Sequence, residues 1–114
     1  MAYNENLTNR IREALVEQQN VEEIKMFQGL CFMVNDKMCI CVRNNHIMCR
    51  IDPDIFNSVL EEKNCKPMMH NGKIMRGFVF VEDEEIKASM DLAWWINLAL
   101  EYNKIAKSAT KKRK

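Results

Sequence analysis

What is missing from this 114-residue chain narrows its function before any motif is read. Lys and Arg number 17 against 16 Asp and Glu, so no global basic field exists to drive nonspecific nucleic-acid binding. A charge-driven partner must use a local patch. No run approaches the ~20 apolar residues of a membrane-spanning helix, and the opening Met1-Ala2-Tyr3-Asn4-Glu5-Asn6 lacks the basic and apolar regions of a signal peptide. The expectation is a soluble, cytoplasmic protein. With three glycines and two prolines there is no flexible linker, low-complexity tract or internal repeat. One domain over residues 1–106 is expected, followed by a basic, disordered tail over 107–114. No acid/base pair, nucleophile triad, metal cluster or phosphate loop stands out. The reading therefore names no catalytic residue, no metal ligand and no cofactor.

What is present is sulfur and β-type patterning. Five cysteines and nine methionines make the interior soft. Cys31, Cys39, Cys41, Cys49 and Cys65 form an odd set without secretory context, so reduced thiols are expected rather than a disulfide framework. Leu7, Ile11, Ala14, Leu15 and Gln18 share one face at helical spacing, which predicts a first helix over Asn4 to Gln19. The pattern then alternates. Met26 to Val34, Lys37 to Arg43 and His46 to Ile51 read as strands of an antiparallel meander with Asn35-Asp36 and Asn44-Asn45 as connectors. Simple parity puts Met38, Ile40 and Val42 on one side of the middle strand and Cys39, Cys41 and Arg43 on the other.

Asp52-Pro53 supplies an N-cap and a proline at the first helical position, opening a short helix that ends near Lys63-Asn64. Asn71-Gly72 suits a type I′ hairpin turn between two further strands, ending in Phe78-Val79-Phe80-Val81. A last helix opens at Ile86 or Ser89 and reaches about Ala106. The order helix-β-β-β-helix-β-β-helix gives an α+β fold of two layers, a mainly antiparallel sheet covered by helices.

Four strings add a family to this reading: Lys25 to Cys39, Arg50-Ile51-Asp52-Pro53, Lys66-Pro67-Met68, and Met75 to Val81. Together they resemble the amino-terminal domain of the TfoX/Sxy competence-regulator family, over about Val21 to Tyr102. The resemblance implies a small cytoplasmic bacterial domain of the same α/β order, with no established enzymatic activity, in a family some of whose members positively regulate DNA-uptake genes. Those regulators typically carry a second, helical domain, so a stand-alone copy is expected here. Gln28 stands where the family usually has the first of paired glycines, and Lys66 where arginine is commoner. Gly29 keeps the permissive backbone that a close strand approach would use.

Several sharper readings compete with plain ones. Arg76 to Val81 looks like the RNP1 strand of an RNA-recognition motif, but the helices that motif needs around it are misplaced, so Phe78 and Phe80 are expected to fill a core strand. Cys39-x-Cys41 is too tight for the usual zinc spacing, and His46 and His70 have no fixed geometry with any nucleophile. Arg43, Arg50, Lys66 and Arg76 fall at strand ends or in the second hairpin, where they could converge on an anion or an acidic partner. On the last helix, Trp94, Leu98 and Ile105 form an apolar stripe opposite Leu92, Trp95, Ile96 and Ala99, which marks a possible homodimer or partner interface. The leading expectation is a noncatalytic interaction module that binds a protein partner or itself. The alternative is a nucleic-acid-associated regulator using Arg43, Arg50 and the tail, and a distant third is a small cysteine-dependent enzyme.

Overall fold

The computed structural model describes residues 4–26 and 29–106. The tail expected at 107–114 lies outside the described residues. Helix α1 (Glu5–Ala14) is capped by Asn4, whose Oδ1 accepts from the Leu7 N–H at 3.0 Å. It stops short of the expected Gln19, because the chain must turn through Asn20, held at φ 58, to enter the sheet.

The sheet has six strands, in the order β1-β2-β3-β4-β6-β5, and every ladder is antiparallel. They are β1 (Val21–Met26), β2 (Gly29–Val34), β3 (Lys37–Val42), β4 (His46–Arg50), β5 (Lys66–His70) and β6 (Lys73–Glu82). The first expected strand, Met26 to Val34, corresponds to β2, and a further strand not expected from the sequence, Val21–Met26, folds back on it. A Cβ on Gly29 would lie 2.3 Å from the Val42 carbonyl oxygen, so only glycine lets β2 and β3 approach this closely. Asn71 and Gly72 both have positive φ, 53° and 77°, as the type I′ turn requires, and Asn35 and Asp36 do the same between β2 and β3. A 3₁₀ turn over Pro53–Ile55, with Asp52 accepting from the Asp54 N–H, leads into α2 (Phe56–Glu62). Helix α3 (Ser89–Asn103) ends one turn before the expected Ala106.

All three helices cover one face of the sheet. Leu7, Ile11 and Leu15 of the first segment, Phe56 and Val59 of α2, and Leu92, Trp95, Ile96 and Ala99 of α3 join Leu30, Phe32, Val34, Ile40, Val42, Ile47, Cys49, Val79 and Val81 in one core. Asn103 fastens the end of α3 to the sheet: its side chain is buried and donates to the Val34 carbonyl at 3.1 Å. Its own carbonyl accepts from Lys37 Nζ at 2.7 Å.

The expected parity of β3 fails at one residue. Phe32 pairs with Ile40 but Met33 pairs with Met38, so Cys39 is an extra, bulged residue. The insertion turns Cys39 into the helix-covered core beside Ile40, and leaves Met38 and Cys41 together on the opposite face. It also brings Cys41 directly opposite Cys31, which a regular ladder would have set against Ile40. The two form a disulfide. The expectation that all five cysteines are reduced is thus corrected; Cys39, Cys49 and Cys65 remain free.

Candidate functional site

The helix-free face of the sheet carries its own small cluster, built only from strand residues. Cys31, Cys41 and Met48 are fully buried at its centre, with Met38, Met68, Phe78 and Phe80 packed around them. Register extends the surface sideways, because Ile24 on β1 pairs with Cys31 and both Ile24 and Met26 are exposed. On β6 the covered positions are Val79 and Val81, whereas Phe78 and Phe80 are half-buried. The aromatic pair therefore does not fill the main core, as the sequence suggested. It lines the open face.

Cations frame the two rings. The Arg43 guanidinium lies 5.7 Å from the Phe80 ring centre, and that of Arg50 lies 5.8 Å from Phe78 and 5.6 Å from Tyr102. Lys66 pairs in register with Phe80 on the neighbouring strand. Arg43 follows β3, where its N–H donates to the His46 carbonyl at 2.9 Å, and Arg50 ends β4, so the two lie about 13 Å apart along the strand direction. They bracket the apolar surface and do not converge on a point. Arg76 is turned elsewhere: it lies over Phe56 at 5.7 Å and donates to the Pro53 carbonyl at 2.8 Å. The four cations picked from the sequence thus divide: Arg43 and Lys66 beside Phe80, Arg50 between Phe78 and Tyr102 of α3, and Arg76 against α2.

At the Arg43 end, the His46 ring meets Phe80 edge-on at 4.9 Å. Arg43 Nε and His46 Nε2 are both shielded from solvent and have no hydrogen-bond partner among the described residues. Burial lowers the pKa of His46, opposed by the nearby Glu82 and reinforced by Arg43. The imidazole is therefore neutral near pH 7, and the positive charge of this end belongs to Arg43.

Burial raises the pKa of all three free thiols, which disfavours the thiolate. Burial pushes Cys39 up to about 12, with Arg50 only partly offsetting it. Cys49 is raised well above the ordinary value, first by burial and then by its neighbours Cys39 and Cys65, and Cys65 is raised by burial. Cys39 and Cys41 point to opposite faces, so they cannot chelate one ion together. Among the described residues no three His, Cys, Asp or Glu side chains are placed to hold a metal.

Of the stripe expected on α3, one residue joins the core and two are exposed, Trp94 at 37% and Ile105 at 69%. Leu98 packs against the main core, Trp94 stands edge-on to Trp95 at 4.9 Å, and Lys63 Nζ caps the Trp94 ring at 4.2 Å. Ile105 is exposed beyond the end of the helix. Sequence reasoning missed Met38, Met68 and the Cys31–Cys41 pair as neighbours. Only the bulge, which period-two parity does not register, aligns them.

Three comparisons bear on this arrangement. The family described as TfoX N-terminal domain has a model that matches residues 13–102. No curated protein and no solved structure gives a significant match. Among the described residues no helix is long and apolar enough to cross a membrane.

Proposed function

From the premise that the chain belongs to the TfoX N-terminal domain family, we propose that it is a noncatalytic regulatory module whose helix-free sheet face binds a protein partner. The observation that carries this is a methionine- and phenylalanine-lined surface, Met38, Met68, Phe78 and Phe80, bracketed by Arg43 and Arg50. Methionine side chains adapt to the contours of a bound segment, and a cationic rim favours an acidic one. Interfaces take most of their affinity from aromatic and arginine anchors of this kind. Regulation of competence, the role attached to the family name, is the finer form of the reading, and the cytoplasm is its setting. The unpaired thiols Cys39, Cys49 and Cys65 suit that compartment, and the Cys31–Cys41 disulfide counts against it.

The nucleic-acid alternative would use the same cations for phosphate and the same rings for base stacking. Against it, each ring already has a guanidinium near its centre, so a base would have to displace an arginine before it could stack. Anisotropy titrations of labelled duplex DNA and single-stranded RNA, at low and near-physiological salt, separate the two. The intact chain is compared with one ending at Ala106. No binding, or weak binding lost with the tail, is the expected result. Binding by the shortened chain that survives near-physiological salt and disappears in Arg43→Glu with Arg50→Glu would replace the protein-partner reading with the nucleic-acid one.

A further inference from the structure

The two edges of the sheet are protected differently. On β5 the edge carries Pro67, which has no N–H, and its ladder with β6 breaks register between Pro67 and Met68. On β1 the ladder with β2 runs from Val21 to Met26 without interruption, and every residue after Val21 is exposed. A regular strand of this length with an open edge is a template for another strand.

The phase of the ladder fixes which groups are on offer. The Asn35 N–H donates to the Asn20 carbonyl at 3.0 Å, so the bonded pairs of this hairpin fall at Asn20, Glu22, Ile24 and Met26. Val21, Glu23 and Lys25 therefore turn their peptide groups outward. Among the described residues no backbone hydrogen bond reaches those outward groups. Glu23 and Lys25 present their side chains on the helix side, where Glu23 meets Arg12 at 2.6 Å, while Ile24 and Met26 lie on the helix-free side.

We propose that two copies of this chain pair antiparallel along β1 about a two-fold axis at Ile24, setting Glu23 of each copy against Lys25 of the other. Only this register is self-complementary. Shifting it by one bonded pair in either direction sets Glu23 against Glu23 or Lys25 against Lys25, and like charges directly opposite are unfavourable. In the complementary register Ile24 faces Ile24 and Met26 faces Glu22 on the other side of the sheet. The two exposed apolar side chains of β1, 39% and 36% accessible for Ile24 and Met26, are then covered in part. The pairing is isologous and closed, as a two-fold dimer requires. It joins two six-stranded sheets into one and makes the two helix-free faces continuous. It does not depend on what those faces bind.

Sedimentation velocity of the full chain, from about 1 to several hundred µM, reads the association, and charge variants supply the register. The parent is expected to show a concentration-dependent dimer. Lys25→Pro removes an outward N–H that no ladder within the monomer uses, so it should abolish the dimer and leave the melting temperature near that of the parent. Lys25→Glu and Glu23→Lys should each weaken self-association about tenfold or more, and a mixture of the two should recover it, because each then faces its opposite charge. A parent that stays monomeric over the whole range overturns the proposal. So does a dimer that tolerates Lys25→Pro and Lys25→Glu, or one that dissolves on Trp94→Glu instead.

Discussion

The two faces of one sheet follow different rules in this protein. Under the helices the sheet presents branched aliphatics and Phe32, sealed by side chains from all three helices, and the free thiols Cys39 and Cys49 act there as small apolar groups. On the other face the strands alone must shield themselves. They do so with a disulfide, methionines and two phenylalanines under arginines. The first face is closed and specified by shape; the second is adaptable and charged at its rim. A core side chain on the covered face therefore contributes to folding, and a half-buried one on the open face is available for recognition.

The sharpest way to break this comparison is to remove matching aromatic mass from each face. Phe32→Ala, at a fully buried position, should cost about 3–5 kcal/mol in urea unfolding. Replacing the Cys31–Cys41 bridge by two alanines should cost about 2–3 kcal/mol, the loop-closure value for its short span, with no change in the strand content seen by circular dichroism. If the cost is negligible, the open face does not rely on the bridge.

Alkaline titration sharpens the contrast from the covered side. Cys39 and Cys49 hold their protons in the fold to higher pH than in the unfolded chain. The folded state then binds more protons above about pH 9, so stability falls as pH rises from there toward about 12, by up to about 1.4 kcal/mol per pH unit for each thiol. Cys49→Ala should flatten that slope in pH-dependent urea midpoints, and an unchanged slope would reassign it. The smallest stability effect belongs to Phe78→Ala, about 1 kcal/mol, since the ring is only half-buried. A cost as large as that of Phe32→Ala would erase the distinction between the faces.

Much of this was legible in the sequence, and the omissions have a common cause. The turns at Asn35-Asp36 and Asn71-Gly72, the Asp52-Pro53 cap and the order of helices and later strands follow from residues with narrow backbone preferences. Period-two alternation tells which residues share a face but not which face the helices cover. In Phe78-Val79-Phe80-Val81 both sets are apolar, so nothing local favoured the valines for the core. The bulge at Cys39 has no residue signature, yet it reverses the parity of the start of β3 and thereby creates the disulfide pairing. Arg43 and Arg50 were found by their positions at strand ends, whereas the diversion of Arg76 to Phe56 depends on where α2 packs.

The strand order also sets how the chain gets to its fold. Four of the five ladders in β1-β2-β3-β4-β6-β5 join strands that follow one another along the chain, and each closes only a short loop. The exception is β4 with β6, which must wait for the intervening segment carrying α2 and β5. A four-stranded meander and a two-stranded hairpin thus close through short loops, and the seam between Cys49 and Val79 is where they meet. Substitutions at that seam are expected to slow folding, and substitutions at the outer edges to act mainly on unfolding, a contrast that stopped-flow refolding of Val79→Ala and Ile24→Ala would read.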